Sequence, residues 1–230
     1  YRGLGGLWHE YKWEDYACQN AFINNPEGVL DFHELRRLEA LKCVPHSGHK
    51  IITQIQDKKP NTVIITQNID GMHQRAGTDH VVELHGSLWR LRCETEVKVF
   101  DDLINGKYHT RKCKCGAWLR PDIIWFQDML NESTVHKATR TILTCDLFIS
   151  IGTSAVVWPA AGYPKLAKDN GAFCIEINPE YDKAYEALGG IQLSNENIDD
   201  ALSTYIKGSE IKGKQYASTN YFTAMGDGDE

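Results

Sequence analysis

Four places in the chain set polar or reactive side chains where an apolar run stops. Val63-Ile64-Ile65 leads into Gln67-Asn68-Ile69-Asp70, and Val81-Val82 leads into Glu83-Leu84-His85-Gly86. Both runs are too short for a helix and β-branched enough for buried strands. Carboxamides, a carboxylate and an imidazole at the carboxyl ends of parallel strands stand where open α/β sheets bind ligands. A third run, Leu147 to Ile151, ends in Gly152-Thr153-Ser154 shortly before a helix expected to open at Pro159. Such a turn can hold phosphate oxygens, because a glycine lets the backbone approach and a helix start favours anions; an ordinary turn is the other reading of Gly-Thr-Ser. A fourth run ends in Asn178-Pro179-Glu180, which can hydrogen-bond a ribose or simply finish a strand.

These residues need a scaffold, and the pattern predicts one. Asn25 can cap a helix whose first position is Pro26 and whose apolar face is Leu30, Leu35, Leu38 and Leu41. A second helix is expected from Gly48 to Asp57, capped by Ser47, and a short helix or turn within "IDGMHQRAG". Residues 87 to 121 are basic and Cys-containing, lack long periodic runs, and read as an inserted module. Thereafter "DIIWF" reads as a strand, Ser133 to Thr144 as a helix, Asp146 to Ile151 as a strand, and Pro159 to Asp169 as a helix. Phe173 to Ile177 follows as a strand and Ile198 to Ile206 as a last helix. Strands alternating with helices predict an α/β fold, a Rossmann-like parallel sheet with helices on both faces.

Composition narrows the function classes. At 230 residues, 42% hydrophobic and 24% charged, the chain can fill one core and carry a smaller lobe. Seven cysteines, an odd and mostly scattered set, suit a reducing, cytoplasmic or similar intracellular compartment better than a secreted disulfide framework. No apolar run approaches the ~18 residues of a membrane span, so no membrane partner is expected. A net charge of −6 argues against a nucleic-acid footprint and at most favours basic partners such as lysine-rich peptides. The chain opens at Tyr1 inside the Gly-rich "YRGLGGLW", so residues are expected upstream, and it closes on "GDGDE", expected to be a flexible acidic tail over 207–230.

"TQNIDGMHQRAG", "VELHGSLWRLRC", "LRPDIIWFQD", "ISIGTSAVVWPAA" and "EINPE" lie in the order found in sirtuins, the NAD-dependent protein lysine deacylases, which the chain resembles from Tyr1 to about residue 206. The resemblance implies a catalytic domain over 1–206, with a large Rossmann-like lobe at about 1–24, 50–86 and 122–206 and a small lobe at about 25–49 and 87–121. It implies NAD as co-substrate and acylated lysine side chains of proteins as partners; a monomer is expected. In that chemistry the acyl oxygen attacks the nicotinamide ribose, nicotinamide leaves, and the acyl group ends on ADP-ribose. The resemblance makes His85 the general base on a ribose hydroxyl, a task suited to an imidazole. It has Asn68 position ribose or water, Asp70 bind the nicotinamide carboxamide, and Gln67 bind ribose hydroxyls. Arg2, Ile69, Gly152, Thr153, Ser154 and Asn178 join them as NAD contacts, and Ile124 and Phe126 contact the substrate. An NAD hydrolase or ADP-ribosyltransferase of sirtuin type is the alternative reaction, and a non-catalytic nucleotide-binding module a third reading.

Departures from the family pattern carry further expectations. The Gly-Ala-Gly-x-Ser loop that precedes "YRG" in sirtuins does not occur in this chain. The inserted module of sirtuins holds structural zinc through two Cys-x-x-Cys pairs. Here Cys93, Cys113 and Cys115 remain, with Glu96 or His109 available to complete the tetrahedron, or a metal-free module packed around Trp89 and Trp118 as the alternative. The substrate strand has Phe126-Gln127-Asp128 where the family has Phe-Gly-Glu. Finally, sirtuins that remove succinyl and malonyl groups carry Tyr-x-x-Arg on the first long helix, where this chain has His33-Glu34-Leu35-Arg36. Arg36 would meet the acyl carboxylate and a protonated His33 would add a donor, giving an acidic-acyl preference that strengthens at mildly acidic pH. Solvated helix charges are the plainer reading of the same arginines.

Overall fold

The computed structural model describes residues 11–153 and 156–177, together with the backbone of Ile191–Leu193 and Tyr221–Met225. Arg2, Ser154, Asn178 and the helix expected at 198–206 lie outside the described residues. In chain order the elements are α1 (Trp13–Tyr16), α2 (Gln19–Asn24), α3 (Pro26–Lys42), α4 (Ser47–Lys58), β1 (Val63–Thr66), α5 (Met72–Ala76), β2 (Val81–Glu83), β3 (Gly86–Cys93) and β4 (Lys98–Asp101). There follow β5 (Arg120–Ile123), α6 (Glu132–Leu143), β6 (Leu147–Ile151), α7 (Tyr163–Asp169), β7 (Phe173–Ile177), β8 (Ile191–Leu193) and β9 (Tyr221–Met225). They divide into two compact units, one of Tyr1–Val44, Asn68–Gly71 and His85–Leu130, the other of Pro45–Gln67, Met72–Leu84 and Asn131–Glu230.

The second unit is built on a six-stranded sheet of order β2-β1-β9-β6-β7-β8. β1 pairs parallel with β2, and β6, β7 and β8 pair parallel in turn, as the alternation of strands and helices predicts. β9 runs antiparallel to both β1 and β6. Residues 221–225 therefore form a sheet strand inside the segment expected as an acidic tail. The core of this unit gathers Ile65, Val82, Leu84 and Phe148 with Ala138 and Ile142 of α6 and Tyr163 and Ala167 of α7. α4 is capped by His46, whose Nδ1 accepts the Gly48 N–H at 3.0 Å, rather than by Ser47, which is already helical. The helix expected to open at Pro159 begins at Tyr163, after a single 3-10 turn over Ala160–Gly162.

In the first unit α3 starts as expected, with Asn25 Oδ1 accepting the Gly28 N–H at 3.0 Å and Pro26 in the first turn. Its buried face is the expected leucine stripe only in part: Leu30 is buried and Leu41 packs against the core, but Leu35 and Leu38 are exposed, and Val29, Phe32, His33, Arg36, Arg37 and Ala40 are buried with Leu30. Arg37 shows what takes the place of the exposed leucines. Its Nε donates to Leu88 O at 2.8 Å, its Nη1 to Asp102 Oδ2 at 2.7 Å, and its guanidinium lies 4.0 Å from the Tyr108 ring centre. A guanidinium can be buried when its charge is paired and its Nε and Nη1 donors are matched in this way. β3 forms a three-stranded antiparallel sheet between β4 and β5. "DIIWF" is not one strand: β5 ends at Ile123, because residues 125–128 close a turn in which Asp128 N donates to Trp125 O.

Candidate active site

Two glycines shape the segments that carry the first unit's polar groups. Gly86, directly after His85, has φ +77, and a side chain there would run into the Asp122 carbonyl. A glycine lets β3 start against β5 at that point, and Ile124 N donates to His85 O at 3.0 Å. Gly71, with φ +70, leaves room for the Trp89 indole, whose Nε1 donates to Asp70 O at 2.7 Å. One residue earlier on β3, Leu88 N donates to Ile69 O at 2.8 Å. Asn68, Ile69 and Asp70 are thus fastened to the strand that His85 opens. Ile69 is buried as an anchor, while Asn68, Asp70 and His85 stay partly open to solvent. Ile124 follows on from β5 and is partly exposed, and Phe126, 43% exposed, packs at 5.0 Å from Trp13.

His33 and Arg36 lie on the buried face of α3. Trp125 Nε1 donates to His33 Nε2 at 3.1 Å, so the neutral ring carries its proton on Nδ1. Arg36 Nη1, 3.5 Å from Nδ1, then meets another donor and makes no hydrogen bond there. Burial, and after it the charges of Arg36 and Arg120, hold the His33 pKa well below the ordinary value, against a hydrogen bond with the Tyr16 backbone. His33 therefore does not protonate at mildly acidic pH, and the expected acid-strengthened second donor is corrected: the imidazole is a neutral acceptor for Trp125.

In the second unit the ends of β1 and β6 approach one another. Gln67 Nε2 donates to Thr153 Oγ1 at 3.4 Å, and Gly152, with φ +56, donates its N–H to Ile177 O at 2.9 Å. The carboxyl ends of β1, β6 and β7 are thereby tied together at one end of the sheet, across the intervening β9. Thr153 is buried, and Gln67 and Gly152 are partly exposed. Buried Ile64, Ile65, Ile149 and Ile151 anchor β1 and β6 in the core and so favour the register that brings these polar ends together.

The Sγ atoms of Cys93, Cys113 and Cys115 lie within 4.8 Å of one another. Three soft thiolates at that spacing suit zinc and supply three corners of a tetrahedron. Glu96 N–H, 3.4 Å from Cys93 Sγ, is the main influence lowering that thiol's pKa. Glu96 itself pairs with Lys98 at 3.0 Å, and His109 is exposed, with its backbone bonded to Asp102.

Trp89, Gly71 and Gly86 went unremarked as positioning groups in the sequence, although a glycine directly following each polar strand end was a readable signal. Arg120 and Asp128 both fall within "LRPDIIWFQD", but nothing in the sequence marked them as a pair.

The model of the Sir2 family matches residues 1–159. An "NAD-dependent protein deacylase" of Aquifex aeolicus (strain VF5) is 42% identical over 182 residues, 78% of this chain and 76% of that one. A Sir2 homolog solved as an NAD complex superposes with a TM-score of 0.78 at 33% identity, covering 90% of this chain and 82% of that one. Sir2Af2 bound to a myristoylated histone peptide gives 0.68 at 28% identity, covering 87% and 86%.

Proposed function

The chain belongs to the Sir2 family, and we propose that it is a protein lysine deacylase that consumes NAD, passes the acyl group to ADP-ribose and releases nicotinamide. The observation that carries this is the fastening of Asn68-Ile69-Asp70 to the strand opened by His85, through Leu88 N and Trp89 Nε1. Those bonds hold an imidazole, a carboxamide and a carboxylate on one rigid frame, which is what positioning a ribose and its leaving group requires. His85 takes the ribose hydroxyl proton; Asn68 orients ribose or water, Asp70 holds the nicotinamide carboxamide, and Ile69 excludes water beside them. Gln67, Gly152 and Thr153 contact the rest of NAD, as do Arg2, Ser154 and Asn178. Ile124 and Phe126 receive the acyl-lysine segment. Zinc held by Cys93, Cys113 and Cys115 is structural and takes no part in acyl transfer.

His85→Ala tests the assignment. Loss of the base lowers acyl transfer by about 10²- to 10⁴-fold while NAD binding persists. Near wild-type deacylation by the variant overturns it. Nicotinamide release that needs no acylated peptide points instead to NAD hydrolysis or ADP-ribosyl transfer.

We further propose a preference for succinyl or malonyl over acetyl lysine, with Arg36 as the carboxylate partner. It is supported by the burial of Arg36 beside Phe32 and His33, where a charge is a strong selector. The preference does not grow on mild acidification, since His33 stays neutral. Arg36→Met should collapse the succinyl-to-acetyl ratio of kcat/KM; an unchanged ratio removes Arg36 from the acyl site. Seven free cysteines support a reducing intracellular location, and a monomer is the proposed working unit. Among the described residues no helix is long and apolar enough to cross a membrane.

A further inference from the structure

A buried charge in the first unit is tied to a turn whose Phe126 and Gln127 are exposed. Arg120 is 1% exposed. Its Nη1 donates to Gln19 Oε1 at 2.6 Å and Glu94 Oε1 at 3.0 Å, and its Nη2 to Ile123 O at 3.2 Å and Asp128 Oδ2 at 2.6 Å. The guanidinium stacks on Trp125 with Cζ 3.6 Å from the ring centre. Asp128 turns that charge into backbone geometry. The same Oδ2 accepts the Trp125 N–H at 3.0 Å, while Asp128 N donates back to Trp125 O at 3.1 Å. Phe126 N is held by Ala17 O at 3.1 Å.

Within this closed turn Gln127 has φ +73, a conformation that disfavours every residue with a Cβ. Local preference therefore works against the turn, and Asp128 with Arg120 holds it. Without them Gln127 relaxes to negative φ and re-aims Phe126 and its own side chain, both of which face solvent. The clamp orients residues that the protein does not otherwise use in its core.

We propose that Arg120 and Asp128 are positioning residues for the acylated peptide, acting through the backbone of the Trp125–Asp128 turn to present Phe126 to it. The inference rests on the deacylase reading, in which this segment receives the substrate. It makes peptide recognition depend on a buried ion pair that holds a strained backbone turn, and leaves the NAD chemistry to other residues.

The test is Asp128→Asn, alone and combined with Gln127→Gly. Asparagine keeps an oxygen for the Trp125 N–H and removes the ion pair. The expected result is a peptide KM raised about tenfold, with kcat and the KM for NAD within about twofold of wild type. Glycine adopts positive φ without strain, so the double variant should recover most of the peptide KM. A loss that falls equally on kcat, NAD and peptide, or a double variant that regains melting temperature but not peptide KM, reduces the clamp to a fold-stabilising pair and overturns the proposal. Wild-type protein without turnover on acyl peptides would instead defeat the deacylase reading, so the two failures are told apart.

Discussion

His73 makes the second unit sensitive to acid. Its ring is 1% exposed and lies 4.9 Å from that of His49, which is 4.1 Å from His46. Burial, followed by the neighbouring charges of His49 and His46, lowers its pKa to about 3. The neutral ring is therefore the folded form, and in the unfolded chain the value returns to about 6.5. Because the unfolded state then binds more protons, the contribution is complete above pH ~6.5 and is lost progressively as the pH falls toward ~3. At about pH 5 the folded protein should have lost roughly 2 kcal/mol through this residue. Urea unfolding of wild type and His73→Leu at about pH 7.5 and about pH 5 reads the effect. The variant starts less stable through lost ring contacts, but its drop between the two pH values should be smaller by roughly 2 kcal/mol. His33, buried neutral in the first unit, is present in both proteins and cancels. Equal drops in the two proteins would show that His73 is not held neutral by burial.

Other outcomes follow from single contacts. Val97 is β-branched, 89% exposed and at φ +52, so Val97→Gly should stabilise by about 1 kcal/mol, seen as a higher urea midpoint; destabilisation would refute the left-handed turn. Asp102→Ala strands the Arg37 guanidinium, whose side chain is fully buried, and should destabilise by about 3 kcal/mol in the same assay; a change under about 1 kcal/mol would contradict the pairing. Freshly prepared protein should carry close to one zinc, and a strong chelator should lower its melting temperature; metal analysis that finds none supports the packed, metal-free module. Burial pushes the Cys145 thiol up to about 12 and Cys174 to about 11, so thiol reagents should label exposed Cys43 long before either; early labelling of the pair would contradict their burial.

Periodicity and turn chemistry exposed most of the second unit in the sequence. β1, β2, β6 and β7 are apolar runs bounded by polar residues, and parallel pairing leaves little else for them to do. Where the expectation failed, a tertiary partner had overridden a local preference. Leu35 and Leu38 of α3 look like part of a core face with Leu30 and Leu41, but the helix instead buries Arg37, whose partners Leu88 O, Asp102 and Tyr108 lie 51 to 71 residues away. Ser47 is the better cap by composition, but His46 supplies the acceptor. "DIIWF" has strand composition throughout, yet Asp128 folds its end into a turn. β9 could not be anticipated, because a short segment near an acidic terminus carries no signal for a slot between β1 and β6. For the site, residue types at the strand ends were legible, whereas the Trp89 latch and the Arg120 clamp depend on contacts remote in sequence.

Product stoichiometry tests the central claim most directly. Purified protein is incubated with NAD and an acyl-lysine peptide, and nicotinamide, free lysine peptide and acylated ADP-ribose are quantified together by mass spectrometry. Transfer of the acyl group to ADP-ribose predicts that the three appear in equal amounts, and that nicotinamide release falls to background when the peptide is left out or His85 is replaced by Ala. Nicotinamide produced at the same rate without peptide, or accompanied by free ADP-ribose and an intact acyl-lysine, would contradict it.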